Sequence, residues 1–278
     1  APSVFADNGF TLTPEEEKQY SSDISFVGSP LISINNNYRK LVNDLHSVIR
    51  DSRQSRLMLD AENLLKAVRN TVERQKAYTA KNQYRLMDIL REEIKECRAQ
   101  NLFSLTFEAL GNHIAKECCM FQRRHYLETL APLYVDVYGN DDWRKVKSDN
   151  IRCRGEASFD SESAKIYRAS KINLDLTRIY ALDGFSDRVF NVLWAGGFLM
   201  MNRTKTIERS FQPGRDLVVF DSAEEMKKLC EYYLAHPTER EDIARRGRER
   251  LMKEHTVTSR VKSILSLALG VEARRDTV

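Results

Sequence analysis

The stretch RVFNVLWAGGFLMMNR, residues 188–203, decides how this sequence is read. DRVFNVLWAG (187–196) has the composition of a buried helix, and FLMMN (198–202) is a short apolar strand. Between them stands Gly196-Gly197. A glycine pair at a helix-to-strand junction suits a left-handed helix cap followed by close packing of helix on strand. An arginine lies at either end of the stretch, so its two ends face different surroundings.

Working outward, the same alternation recurs. DISFVGSP (23–30), LYVDVYG (133–139), IRCRGEA (151–157), KINLDLT (171–177) and LVVFD (217–221) read as strands. SESAKIYRAS (161–170) reads as a helix capped by Asp160 or Ser161. Ser222 with Glu225, and Thr238 with Glu241 after Pro237, read as capping boxes that open two more helices. A last helix is expected from about Val257 to Leu269, stopping at Gly270. Short strands alternating with helices of 10–15 residues predict βαβ units and a Rossmann-like parallel α/β sheet.

Residues 34–131 interrupt this pattern. They hold one glycine, Gly111, and no proline, with apolar residues at helical spacing such as Leu64, Leu65 and Val68, then Leu86, Ile89, Leu90 and Ile94. Three to five helices are predicted, an all-helical insertion after the first strand. The sheet lobe is then 23–33 plus 132–278. The insertion also offers a surface for self-association.

Composition excludes several classes. No apolar run reaches the roughly 18–20 residues of a membrane helix, so no integral membrane protein is expected. The five cysteines form no C-x-x-C pair, which argues against a zinc site or disulfide framework and for a reducing cytoplasm. Net charge is only +4, and the basic residues Lys81, Arg85, Arg123 and Arg124 are interleaved with acids, so no nucleic-acid face is expected. The histidines His113, His125 and His255 are scattered, and Trp143 and Trp194 read as packing residues. No H-E-x-x-H text or Ser/His/Asp order supports hydrolysis.

In doubly wound sheets ligands bind at the carboxyl ends of the strands, often at helix N-termini. That edge holds the candidate site. Gly139, Gly155 and Gly184 close strands there, whereas Gly196-Gly197 falls on the opposite edge. Gly184, Phe185, Ser186 and Asp187 would present backbone N–H groups to a diphosphate, and Arg188 in the first helical turn opposes the helix dipole unless an anion, or Asp183 or Asp187, compensates it. Lys171 and Arg178 flank the preceding strand and could neutralise phosphate. Glu156 could meet a ribose or base.

The blocks DISFVGS, VYGNDDW, IYRASKINLDLTR, RVFNVLWAGGFLM, PGRDLVVFDSAEEM, YYLAHPTEREDIARRGRERL and EHTVTSR resemble, in order and spacing, the C-terminal lobe of CgeB-type (spore-maturation-like) glycosyltransferases of the GT-B fold group. The resemblance implies transfer of a sugar from a nucleotide-sugar donor to a glycan, protein or lipid acceptor, without a cofactor; the chain also lacks an Asp-x-Asp metal motif. It implies that residues 1–22 form a linker or crossing segment from an N-terminal lobe. The acidic–x7–acidic motif of such enzymes maps onto Asp183 and Asn191, with an amide where the ribose-binding acid usually stands. That departure leaves open a lobe that binds without turning over.

Overall fold

The computed structural model describes residues 11–31, 36–158, 161–181 and 183–269. Six parallel strands form one sheet in the order β3-β2-β1-β4-β5-β6. They are β1 (Ser22–Val27), β2 (Val135–Tyr138), β3 (Ile151–Gly155), β4 (Ser170–Asp175), β5 (Leu199–Asn202) and β6 (Val218–Phe220). This order places the topological switch point between β1 and β4, where successive crossovers leave in opposite directions. β2, β5 and β6 are buried along their whole length, as strands covered on both faces must be.

The expected insertion is present as four helices between β1 and β2: α2 (Asn36–Asp51), α3 (Ser55–Thr79), α4 (Leu86–Glu96) and α5 (Phe107–Thr129). They share a core of their own, in which Leu64, Val68, Leu90, Leu110 and Ile114 meet. α5 belongs to two cores. Its first half packs inside the insertion, while Tyr126 and Leu127 join Phe26, Val137, Leu174 and Phe220 on one face of the sheet. α9 (Ala223–Ala235) completes that face. The other face carries α6 (Glu162–Ala169) and α7 (Arg188–Trp194), whose Tyr167, Val189 and Leu193 pack on Leu199 and Met201.

Two helices escaped the sequence reading. α1 (Pro14–Tyr20) occupies part of the expected linker, opened by a full capping box in which Thr13 and Glu16 exchange hydrogen bonds. The text Thr-Pro-Glu-Glu-Glu carries that signal, because proline suits the first helical position. α1 docks on α6 through the Lys165–Glu16 ion pair at 2.6 Å and the Tyr20 hydroxyl, which donates to Glu162. α8 (Lys205–Ser210) is short and capped by Thr204.

The caps need correction as well. The Ser222 hydroxyl accepts from the Glu225 N–H, but the Glu225 carboxylate accepts from Asp221 instead of closing the box. Thr238 and Glu241 form no box, because α10 (Pro237–Glu254) starts at the proline itself. Ser161 makes no capping bond; the Ser158 hydroxyl accepts from the Glu162 N–H instead. Asp160 and Gly270 lie outside the described residues. The final helix, α11, spans Val257–Ala268.

The double glycine ends α7 in a Schellman turn. Gly197 N–H donates to the Val192 carbonyl, Gly196 N–H donates to Leu193, and Gly196 has φ +74°. A Cβ on Gly197 would lie 2.4 Å from the Tyr167 carbonyl oxygen, so the chain can approach α6 only without a side chain there. Gly196→Ala is expected to destabilise by about 1 kcal/mol through its positive φ. Gly197→Ala should cost more, roughly 3 kcal/mol, because backbone must move to admit the methyl group. Urea denaturation midpoints of the two variants test this order.

Candidate functional site

The carboxyl end of β1 is fastened before any ligand arrives. Gly28 N–H donates to the Tyr138 carbonyl at 2.7 Å, and Trp143 Nε1 donates to the Gly28 carbonyl at 2.6 Å. Trp143 is buried in a 3-10 turn, Asp141–Lys145, that directly follows β2. A Cβ on Gly139 would fall 2.5 Å from the Gly28 oxygen, so that glycine serves the strand junction. Arg123 donates to the Ser29 carbonyl, and the Ser29 hydroxyl accepts from the Leu31 N–H.

Two guanidinium groups converge on this loop from opposite faces of the sheet. Arg123 comes from α5 and Arg188 from α7; their guanidinium carbons lie 5.5 and 5.8 Å from the centre of the Phe26 ring. Arg188 pairs with Asp175, the last residue of β4, which is fully buried and also accepts from the Ser186 hydroxyl at 3.1 Å. Burial works against the Arg188 charge, but Asp175 and Tyr167 outweigh it and hold the group above its ordinary value. Arg123 goes the other way. Burial, then repulsion from Arg188, pulls it down to about 10. Burial pushes the Tyr167 phenol up to about 12.

The sequence candidates divide between this place and others. Arg188 and Ser186 reach the switch point, and the partner of Arg188 is Asp175 instead of Asp183 or Asp187. Arg178 is exposed and donates to the Tyr180 hydroxyl, yet it lies near enough to add to the repulsion on Arg123. Asp183 is exposed, with Lys205 3.3 Å away. Gly184 offers no free amide, since its N–H donates to the Ala181 carbonyl at 2.9 Å. α7 is only seven residues long, so the weight of the site falls on side chains instead of helix-end amides. Phe185 turns toward Phe190 and Phe211, its ring centre 5.4 Å from that of Phe190, and packs instead of facing a ligand.

Four further expectations change. Gly155 and Glu156 close β3, the outermost strand, two strands or about 10 Å from the switch point. Lys171 stands at the amino end of β4, 2.7 Å from Asp23, on the edge away from the arginines. Asn191 is 4 % exposed, and its Oδ1 has no partner. A ribose hydroxyl has almost no surface there to touch. His125 stacks on Phe121, and His255 packs on Phe211 with Nε2 3.0 Å from the Ser210 carbonyl, both packing roles.

Sequence reasoning missed Phe26, Arg123, Tyr167 and Asp175. Asp175 had a signal: an acid at the polar position that ends the alternating strand run Ile-Asn-Leu-Asp. Arg123 had none, because only the tertiary fold brings α5 to the sheet edge.

A cavity of about 680 Å³ opens at the opposite edge, lined by Arg168, Lys171, Gly196 and Arg248 among others. Arg168 donates to the Gly196 carbonyl and Arg248 to that of Trp194, so both serve the carbonyl end of α7. This cavity lies at the amino ends of the strands, away from the edge where doubly wound sheets take their ligands. Among the described residues no group of three or more His, Cys, Asp or Glu could hold a metal ion, and no helix is long and apolar enough to cross a membrane.

The buried pair makes a direct prediction. Asp175→Asn leaves Arg188 without its counter-charge and is expected to destabilise the ligand-free protein by roughly 3 kcal/mol. Adding Arg188→Gln should recover most of that loss. Chemical denaturation of the two single variants and the double variant, as a double-mutant cycle, reads the coupling.

Residues 122–266, just over half of the chain, match the family described as glycosyl transferase-like. No curated protein matches. The matched span takes in β2 to α10 and every charged group that converges on Phe26. With the six-stranded parallel sheet and its helices, this makes the lobe a GT-B-type glycosyltransferase domain, and the chain belongs to the glycosyl transferase-like family.

Proposed function

We propose that the chain binds the diphosphate of a nucleotide-sugar donor at the β1–β4 switch point and serves as the donor lobe of a CgeB-type glycosyltransferase. The observation that carries this reading is Arg188, held by buried Asp175 over Phe26 where a doubly wound sheet takes its ligand. When the glycosidic bond to the donor breaks, negative charge gathers on the leaving diphosphate. A guanidinium fixed in advance stabilises that charge without reorganising, and more strongly in a half-buried site than in water. Asp175 and Ser186 keep Arg188 aimed. The pinned Gly28–Ser29 loop lies beside the Arg188 guanidinium, where the phosphates would sit. Because side-chain cations answer the diphosphate charge, no divalent metal is required.

Asn191 favours a second reading, a lobe that binds the donor but does not turn it over. Its amide carries no charge and lies buried where similar sequences place an acid. Release of nucleoside diphosphate from a donor sugar in the presence of acceptor extracts separates the two readings.

Calorimetry against UDP, GDP, ADP and TDP and their sugar conjugates is the test. At least one is expected to bind, equally well with EDTA and with Mg²⁺ or Mn²⁺. Arg188→Ala should weaken it by about 1–3 kcal/mol, the range for losing a charge-assisted hydrogen bond. No binding to any of them at millimolar concentration would sink the proposal, and an unchanged affinity in folded Arg188→Ala would make this arginine structural.

A further inference from the structure

The helical insertion leans over the carboxyl edge at three points. Asn82, at the α3–α4 turn, accepts from the Asn202 amide at the end of β5 and donates to the Arg203 carbonyl. Gln122 donates to the Thr177 carbonyl just past β4. Arg123, its neighbour on α5, donates to Ser29 just past β1. The first two are neutral contacts of the kind that dock one element on another. The third places a charge.

That charge is out of balance. Arg123 is 6 % exposed, yet among the described residues no carboxylate forms an ion pair with it. Asp175, the nearest source of attraction, is already engaged by Arg188 and Ser186. Arg188 and Arg178 both repel Arg123. Among the described residues it meets the Ser29 carbonyl oxygen and the face of Phe26. A guanidinium has five N–H donors, and a buried charge without a counter-charge is costly unless something supplies one. Arg123 and Arg188, with Asp175 the one buried carboxylate that acts on both, leave an excess positive charge at the switch point, in part shielded from water. Planar forks of this kind match phosphate oxygens in pairs.

We infer that Arg123 is a phosphate-binding residue, so that the helical insertion completes the donor site and a diphosphate bridges Arg123 on α5 to Arg188 on α7. The inference rests on the donor-binding reading given above and adds the insertion to it. An anion seated between the two guanidinium groups joins α5 to α7 across the end of the sheet. Removing the Arg123 charge therefore weakens the anion site more than it weakens the fold, since the ligand-free protein carries that charge uncompensated.

Isothermal titration with inorganic pyrophosphate tests this on the full chain, with Arg123→Met, Arg123→Gln and Arg188→Gln beside the unaltered protein. Glutamine removes the charge and keeps a polar amide, although its Nε2 stops two bonds short of the guanidinium nitrogen that reaches the Ser29 carbonyl, so the melting temperature of Arg123→Gln is read beside its affinity. The unaltered protein is expected to bind. Arg123→Met and Arg123→Gln should each bind at least about tenfold more weakly, with a shallower dependence on salt, while melting within a few degrees of the unaltered protein. If Arg123→Met does not fold, Arg123→Gln decides. Folded Arg123→Gln with unchanged pyrophosphate affinity, while Arg188→Gln loses binding, overturns the role of Arg123 and leaves the donor site standing. Failure of the unaltered protein to bind pyrophosphate or any nucleoside diphosphate overturns both.

Discussion

β1 hydrogen-bonds in parallel to β2 on one side and to β4 on the other, and the rest of the structure depends on that arrangement. Right-handed crossovers that run along a parallel sheet in opposite directions lie on opposite faces, and here β1 to β2 runs one way while β4 to β5 runs the other. The chain after β1 therefore climbs over one face through the insertion and α5, and the chain after β4 climbs over the other through α7. Both start at the carboxyl edge, so a crevice opens between them. Arg123 and Arg188 reach that crevice from the two faces, and both lie against the Phe26 ring. The opposite edge has basic residues too, but they line the cavity at the amino ends of the strands. There the Schellman turn at Gly196-Gly197 and the arginines that meet its carbonyls only close the fold.

Strands and helices were legible because burial writes its period into the sequence. The apolar runs at 23–27, 135–138 and 199–202 are strands, the glycine-poor block from 34 to 131 is helical, and the double glycine is the helix end that its composition announced. Caps were less legible. Thr13 and Glu16 form the box that was overlooked, and Thr238 and Glu241 do not form the one expected, because Pro237 starts its helix two residues early.

The site was legible as an edge but not as a set of residues. Arg188 and Ser186 were picked from the loop that leaves β4, and the fold places both at the switch point. Lys171 was placed near them by sequence proximity, yet a six-residue strand carries it to the far edge. Gly155 and Glu156 close a strand that the sheet order puts outermost, and order is not written in the pattern of any one strand. Arg123 lies 65 residues before Arg188, on a helix whose two halves serve two cores. No local pattern marks such a residue. Its meaning comes from the charge balance of a folded neighbourhood, in which Asp175 pairs with Arg188 and leaves Arg123 without a carboxylate of its own.

That charge balance is the centre of the account, and a crystal structure of the chain with a bound nucleoside diphosphate tests it most directly. The account predicts phosphate oxygens over the Gly28–Ser29 loop, within hydrogen-bond distance of the guanidinium groups of both Arg188 and Arg123. Phosphates bound instead in the cavity at the opposite edge, against Arg168 and Arg248, would contradict it.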